Sequence, residues 1–359
     1  MKNFLTLNEG GSDNFGDQMI SSSLGAILEG NCHNVDKYDF TRCYKLNRKI
    51  ERVDTNKASK KSVIIKILGK NKALSRVKWI VKNTLTIVNV CKKKYDIAFI
   101  GGGQLILSNP IFPVAFFFWV FFLYINKTKI YVIGVGSGES FSVFEIFLYK
   151  VSLKKCNKVL LRDLKSIKNV RNKFNIRAQF IPDIAYSYSN FPVFAGRGRS
   201  KIGRSLVIGI VDYRIYKRYC NEMTLSSLTE LEYFLLWKER VLKISDKFQQ
   251  LNILASSKED VKASTSLYNL LIDSDLNIEI KLLGYCDDLE IYVNILSSAD
   301  SVMSARMHTL IMAQTMGCEV IPWIISKKIE SYKEEYLHLN IENIRSKVTL
   351  EMCKIINSL

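Results

Sequence analysis

The chain has 359 residues, 48% of them hydrophobic and 24% charged, with a formal net charge of +18. That length suits two domains of ordinary size, and the composition excludes a disordered or fibrous chain. Eight cysteines without a Cys-x-x-Cys pair, and only three histidines (His33, His308 and His338), exclude a clustered zinc site, so no metal is expected.

The N-terminal residues reach polar Asn8-Glu9-Gly10 without an apolar core, so no signal peptide is expected, and the cysteines read as small buried hydrophobes of a reducing, cytoplasmic compartment. Phe4 to Leu7 is a candidate strand. The turn Gly10-Gly-Ser-Asp-Asn-Phe-Gly-Asp17 follows it, then a helix from Gln18 to about Leu28. A basic segment spans 37–94, with 18 Lys/Arg against Asp39, Glu51 and Asp54. Within it Ile67, Leu74, Val77, Val81, Leu85 and Val88 recur at helical spacing, with Lys70, Lys72, Arg76, Lys78 and Lys82 on the other faces. Such a helix either lies on an anionic membrane surface or packs on its own domain as a solvated helix. No nucleic-acid motif accompanies the charge, so no nucleic-acid partner is expected.

Tyr95 to Ile100 is a strand that ends in Gly101-Gly102-Gly103. The apolar run Ile111–Ile125 is too short to span a bilayer and reads as a buried helix. Strands at Lys129–Ile133, Lys158–Leu161 and Gln179–Ile181 end in Gly134-Val-Gly136, Arg162-Asp163 and Pro182-Asp183. After a Gly/Arg-rich connector at 195–204 the pattern restarts. Strands are expected at Ser205–Ile210, Leu251–Ala255, Ile278–Leu282, Ser301–Met303 and Glu319–Ile325. Helices are expected near 229–250, 260–272, 289–297 and up to Gly317. The expectation is α/β: two Rossmann-like lobes with parallel sheets and the active site in the cleft between them. The domains are read as 1–195, 205–325 and a C-terminal helix over 326–359.

In open α/β sheets ligands bind beyond the carboxyl ends of the strands. Gly101, Gly102 and Gly103 either expose amides to an anion or only pack a helix on a strand. The full dinucleotide fingerprint is absent, so no nicotinamide or flavin cofactor is expected. Ser304-Ala-Arg-Met-His308 puts a guanidinium and an imidazole at a strand-to-helix junction. Arg306 can grip a carboxylate or phosphate, and His308 can carry a proton. Because residues two apart in a helix point about 200° apart, sharing a ligand requires Arg306 in the turn and His308 in the first helical turn. The alternative is a surface arginine and a core histidine.

The ordered set Asn14-Phe-Gly-Asp17, Gly101-Gly-Gly103, Gly134-Val-Gly136, Arg162-Asp-Leu-Lys-Ser166, Pro182-Asp-Ile-Ala185 and Ser304-Ala-Arg-Met-His308 with Ala313 and Gly317 resembles the polysaccharide pyruvyl transferase family. The resemblance spans most of the chain and implies a glycosyltransferase-B-like fold. It implies transfer of the pyruvyl group of phosphoenolpyruvate to a sugar of a surface polysaccharide or its lipid-linked precursor, as a ketal, with phosphate released. It makes His308 and Arg306 catalytic. Arg162, Lys327, Gly101, Gly102, Gly103 and Ser304 fall to the donor, and Asn14, Asp17 and Asp183 to the acceptor or to polar structure. Phosphoenolpyruvate is then a substrate and no cofactor is needed. The saccharide acceptor, borne on a polyprenyl diphosphate, would bring the chain into peripheral contact with the inner face of the cytoplasmic membrane. One departure stands out: the family places proline two residues after the glycine that ends the last helix, whereas Gly317-Cys-Glu-Val320 has none until Pro322. Rival readings are a sugar-nucleotide glycosyltransferase of the same architecture and a non-catalytic membrane-associated assembly protein.

Overall fold

A computed structural model describes residues 2–30, 34–46, 72–190, 204–223, 227–274 and 276–357. The chain divides into two compact units. Unit 1 holds 1–11, 20–184 and 347–359; unit 2 holds 12–19 and 185–346. This differs from the division expected from sequence: residues 12–19 join unit 2, the main boundary falls at 184/185 rather than near 195, and the expected C-terminal segment is divided, 326–346 in unit 2 and 347–359 in unit 1. Ile67, Lys70 and most of the connector at 195–204 lie outside the described residues.

Unit 1 is a six-stranded parallel sheet in the order β2-β1-β3-β4-β5-β6. Its strands are β1 (Asn3–Asn8), β2 (Asn34–Asp39), β3 (Ile97–Gly101), β4 (Lys129–Val135), β5 (Lys158–Leu161) and β6 (Gln179–Phe180). The central strands are apolar runs buried on both faces, as parallel strands covered by helices must be. One face carries α2 (Lys72–Cys91), α3 (Phe112–Ile125), α4 (Val143–Leu153) and α5 (Leu164–Phe174), packed around Phe40, Trp119 and Tyr149. Trp119 is fully buried, and its Nε1–H donates to the Phe40 carbonyl at 2.9 Å. The other face carries α1 (Phe15–Glu29) and the end of α12 (Ile341–Asn357), whose Val348, Met352 and Ile355 pack with Phe4, Leu24 and Leu28. Local chemistry sets the helix starts. Ser142 and Glu145 form a capping box on α4, and the Asp163 carboxylate accepts the Ser166 N–H at the start of α5.

The α2 helix corrects the sequence reading. Its buried residues are Trp79, Asn83, Ile87, Val90 and Cys91, whereas Val77, Val81 and Leu85 of the expected apolar face are exposed. Both stripes have helical spacing. The one chosen contains Trp79, which offers the largest apolar area and whose Nε1–H reaches the Thr41 carbonyl at 2.6 Å. The run at 111–125 does form a helix, but not a fully buried one, since Phe121, Tyr124 and Ile125 face outward.

Unit 2 is a five-stranded parallel sheet in the order β11-β10-β7-β8-β9. Its strands are β7 (Ser205–Gly209), β8 (Gln250–Ala255), β9 (Glu279–Tyr285), β10 (Ser301–Ser304) and β11 (Glu319–Pro322). Its helices are α6 (Tyr213–Met223), α7 (Glu230–Ser245), α8 (Val261–Ile272), α9 (Leu289–Ser298), α10 (Met307–Thr315) and α11 (Lys327–Glu335). Strand order reverses between β1 and β3 in unit 1 and between β7 and β10 in unit 2. Those are the switch points where open α/β sheets bind ligands. β3 ends in Gly101, with Gly102 and Gly103 in the loop beyond it, and β10 is followed by Arg306 in the turn and His308 in the first turn of α10.

Candidate active site

At the unit 2 switch point β10 ends in Ser304, whose hydroxyl donates to the Gly209 carbonyl of β7 at 2.9 Å and accepts the Arg306 N–H at 3.0 Å. Ser304 therefore ties the two switch-point strands together and sets the turn. The backbone at Arg306 is extended, with φ −104° and ψ 114°, and α10 begins at Met307. Arg306 thus sits in the turn and His308 in the first helical turn. The arginine does not cap the helix with its side chain. Instead it turns toward the loop after β8. Its Nε donates to Asp260 Oδ2 at 3.0 Å, and its Nη2 to Asp260 Oδ1 at 2.7 Å, Glu259 Oε1 at 2.9 Å and Ser257 Oγ at 3.2 Å. Among the described residues Nη1 has no such partner. Burial opposes the guanidinium charge, but the Asp260 and Glu259 carboxylates outweigh it and raise the pKa above that of an ordinary arginine.

Asp260 is the hub of this arrangement. It is fully buried and also accepts from Ser256 Oγ, Ser257 Oγ and the Asp212 N–H. One carboxylate thereby joins the loops that follow β7, β8 and β10. Sequence reading overlooked it, although the Ser256–Asp260 turn directly follows a strand and could have been picked by the same rule that picked the others.

The Asn14–Asp17 turn belongs to this same unit. The Phe15 N–H donates to the Ser256 carbonyl at 3.1 Å, and the Phe15 ring stacks between Tyr285 and Tyr292, with centroids at 4.9 and 4.5 Å. Asn14 Oδ1 accepts the Gly16 N–H, and Asp17 Oδ2 accepts the Ser12 hydroxyl, so both polar groups serve the start of α1. Gly16 lies against His308: a Cβ built there would stand 2.4 Å from its Nδ1. His308 is only 7% exposed. The structure therefore gathers Asn14, Asp17, Ser304, Arg306 and His308 in unit 2. Lys327 is the first residue of α11, half-buried, after β11.

The remaining candidates lie in unit 1. Arg162 is buried, and its Nη1 donates to Asp183 Oδ2 at 2.8 Å, so these two side chains bind each other. The guanidinium lies on Gly136, where a Cβ would come 2.8 Å from Nη2. The Gly102 N–H is taken by the Ile133 carbonyl, and Gly102, with φ +70°, packs on Ile20, so close packing accounts for this glycine. Gly101 ends β3, and the Gly103 carbonyl accepts the Gly136 N–H. Among the described residues no three His, Cys, Asp or Glu side chains gather as metal ligands would.

The region of departure after α10 is a regular helix end. Gly317 has φ +74°, its N–H donates to Gln314, and the Cys318 N–H donates to Ala313, which is the Schellman pattern. Gly317 closes the helix without help from a following proline.

The fold is glycosyltransferase-B-like, and comparison with solved structures shows it. A UDP-GlcNAc 2-epimerase from Neisseria meningitidis bound to UDP-GlcNAc matches with TM-score 0.56 and 10% identity over 100% of both chains. One from Methanocaldococcus jannaschii in complex with UDP-GlcNAc and UDP matches with TM-score 0.53 and 11% identity, again over 100% of both. S. aureus MnaA in complex with UDP matches with TM-score 0.52 and 9% identity over 97% of this chain and 91% of that one. No curated protein sequence matches. The chain belongs to the polysaccharide pyruvyl transferase family, whose profile matches residues 14–326.

Proposed function

We propose that the chain transfers the pyruvyl group of phosphoenolpyruvate to two hydroxyls of a saccharide, forming a ketal. The observation that supports this most directly is the N-terminus of α10 at the unit 2 switch point. Among the described residues the helix has no side-chain cap and Nη1 of Arg306, which precedes it, has no hydrogen-bond partner; His308 stands in its first turn. Amides at a helix start together with a fixed cation suit a carboxylate or phosphate. Phosphoenolpyruvate carries both.

In this reading protonated His308 delivers its proton to the methylene carbon of the donor. One sugar hydroxyl adds to the neighbouring carbon and gives its proton to the neutral imidazole. That carbon then holds a methyl, a carboxylate, the phosphate and the sugar oxygen. The C–O bond to phosphate breaks, and a second hydroxyl closes the ketal, its proton leaving with inorganic phosphate. Arg306 holds donor charge through one nitrogen only, because Asp260 and Glu259 occupy the others. Asp260 thus orients the cation rather than the substrate. Lys327 supplies further positive charge to the donor, and Asn14 and Asp17 orient hydroxyls or the turn that carries them, while Arg162 and Asp183 hold each other within unit 1. The acceptor is a surface-polysaccharide precursor on a polyprenyl diphosphate, met at the inner face of the cytoplasmic membrane.

The test is phosphate release from phosphoenolpyruvate with a panel of lipid-linked and synthetic glycosides, with mass spectrometry for the added pyruvyl group. His308→Ala should reduce transfer at least about 100-fold with folding intact. Release of nucleotide from a sugar nucleotide, without phosphate from phosphoenolpyruvate, would overturn the reading.

A further inference from the structure

The outer face of the helix layer α2–α3–α4 is apolar where an ordinary surface is not. α2 exposes Val77, Val81 and Leu85 at four-residue spacing, with Val81 79% exposed. α3 exposes Phe121 and Ile125, and α4 exposes Phe147. Nine of the eighteen large apolar side chains exposed among the described residues lie on these three helices. Single exposed apolar residues need no explanation, but a run along adjacent helices marks an interaction surface. The helices touch in order: Trp79 of α2 packs on Phe118 of α3, and Phe116 of α3 on Tyr149 of α4.

Charge identifies the partner. From Lys72 to Lys155 there are twelve Lys/Arg against Asp96, Glu139 and Glu145. The one acid on these helices, Glu145, is buried and bonded to Ser108 and Ser142. Lys78 and Lys82 are exposed beside the Val77–Leu85 stripe. At the end of α3, Lys155 stands over the Tyr124 ring, 4.3 Å from its centroid. A second copy of this face would oppose lysine to lysine, which is unfavourable. Apolar side chains rimmed by lysines match the boundary between acyl chains and anionic headgroups. None of the helices searched is long and apolar enough to cross a membrane, so contact through this face is peripheral.

We infer that the outer face of α2, α3 and α4 docks the chain on an anionic phospholipid bilayer. Val77, Val81, Leu85, Phe121, Ile125 and Phe147 enter the headgroup boundary, and Lys78 and Lys82 meet the phosphates. The inference rests on the pyruvyl-transfer reading only for its purpose, which is to bring a lipid-borne acceptor within reach.

The test is flotation of the full chain with vesicles of phosphatidylcholine containing phosphatidylglycerol, against phosphatidylcholine alone, at low and high salt. Wild type should bind the anionic vesicles and release at high salt. Val81→Glu with Leu85→Glu should weaken binding at least about ten-fold. Lys78→Gln and Lys82→Gln should each weaken it about five-fold. All variants should keep the wild-type melting temperature and, if the transferase reading holds, wild-type transfer to a water-soluble glycoside. Equal binding to neutral and anionic vesicles overturns the inference, as does binding indifferent to Val81→Glu with Leu85→Glu. So does a dimer in light scattering that the same substitutions dissolve, since a second copy would then cover the face. Binding without any phosphate release leaves the docking standing and removes only the transferase reading.

Discussion

The imidazole of His308 rests against the backbone of Gly16, two residues that are 292 positions apart in the chain. A methyl group at Gly16 would lie 2.4 to 2.7 Å from three atoms of His308, well inside van der Waals contact. The glycine of Asn14-Phe-Gly-Asp17 therefore holds the space in which the proposed acid/base stands. Gly16→Ala should displace the ring by roughly 1 Å and lower kcat about 100-fold. Steady-state kinetics beside a thermal melt checks it, and a variant as active as wild type refutes the link.

Asp260 should matter more to stability than any other carboxylate of unit 2. Replacing it with alanine leaves Arg306 partly buried without its main counter-ion and removes the bridge among three loops. The expected cost is about 3–5 kcal/mol. Urea unfolding measures it. Arg306→Lys should also lose activity, because an ammonium cannot bond Asp260 through two nitrogens while presenting a third to a ligand. Retained kcat/KM in that variant argues against the role given to Nη1.

Asp36 of β2 predicts a pH effect. Burial pushes its pKa up, but Lys45 Nζ at 2.5 Å, the Tyr95 hydroxyl at 2.7 Å and Lys93 Nζ at 3.0 Å reverse this and lower it to about 2. A folded value below the unfolded one means that the contribution is present above pH about 4 and is lost as pH falls toward 2. Solvent screening at this half-buried site leaves roughly 1 kcal/mol. Asp36→Asn should be less stable at neutral pH and should flatten that part of the acid limb in a denaturation series.

Burial raises the thiols of Cys43 and Cys91 to about 12, so neither forms thiolate at neutral pH. Both should resist iodoacetamide in the native chain and react fully in denaturant. Peptide mass spectrometry reads the difference directly.

Strand positions were the most legible part of the fold. Lys158–Leu161 is found at its expected bounds, and β4, β7, β8 and β10 within two residues of theirs, because a parallel strand covered on both faces must be an apolar run bounded by turns. Edge strand β2 went unread. Its Asn-Val-Asp-Lys-Tyr-Asp is polar and only partly covered, so no burial pattern marks it. The α6 helix was missed in a stretch dense in tyrosine and arginine, where apolar spacing is diluted. On α2 two stripes competed, and packing chose the one with tryptophan. Within the site, the turn at Arg306 and the helix at His308 followed from their place after a strand. What could not be read was the destination of the guanidinium. Its partners lie 46 and 47 residues away, and nothing local to Ser304–His308 encodes them.

The second face of the unit 1 sheet has a consequence for how the chain is made. Phe4, Leu24 and Leu28 are synthesised well before Val348, Met352, Ile355 and Ile356, which complete their cluster. While the ribosome is still translating, that face stands open to water. A chain that stops before Val348 would leave it open for good, so truncation ahead of that residue should yield aggregated rather than merely weakened protein.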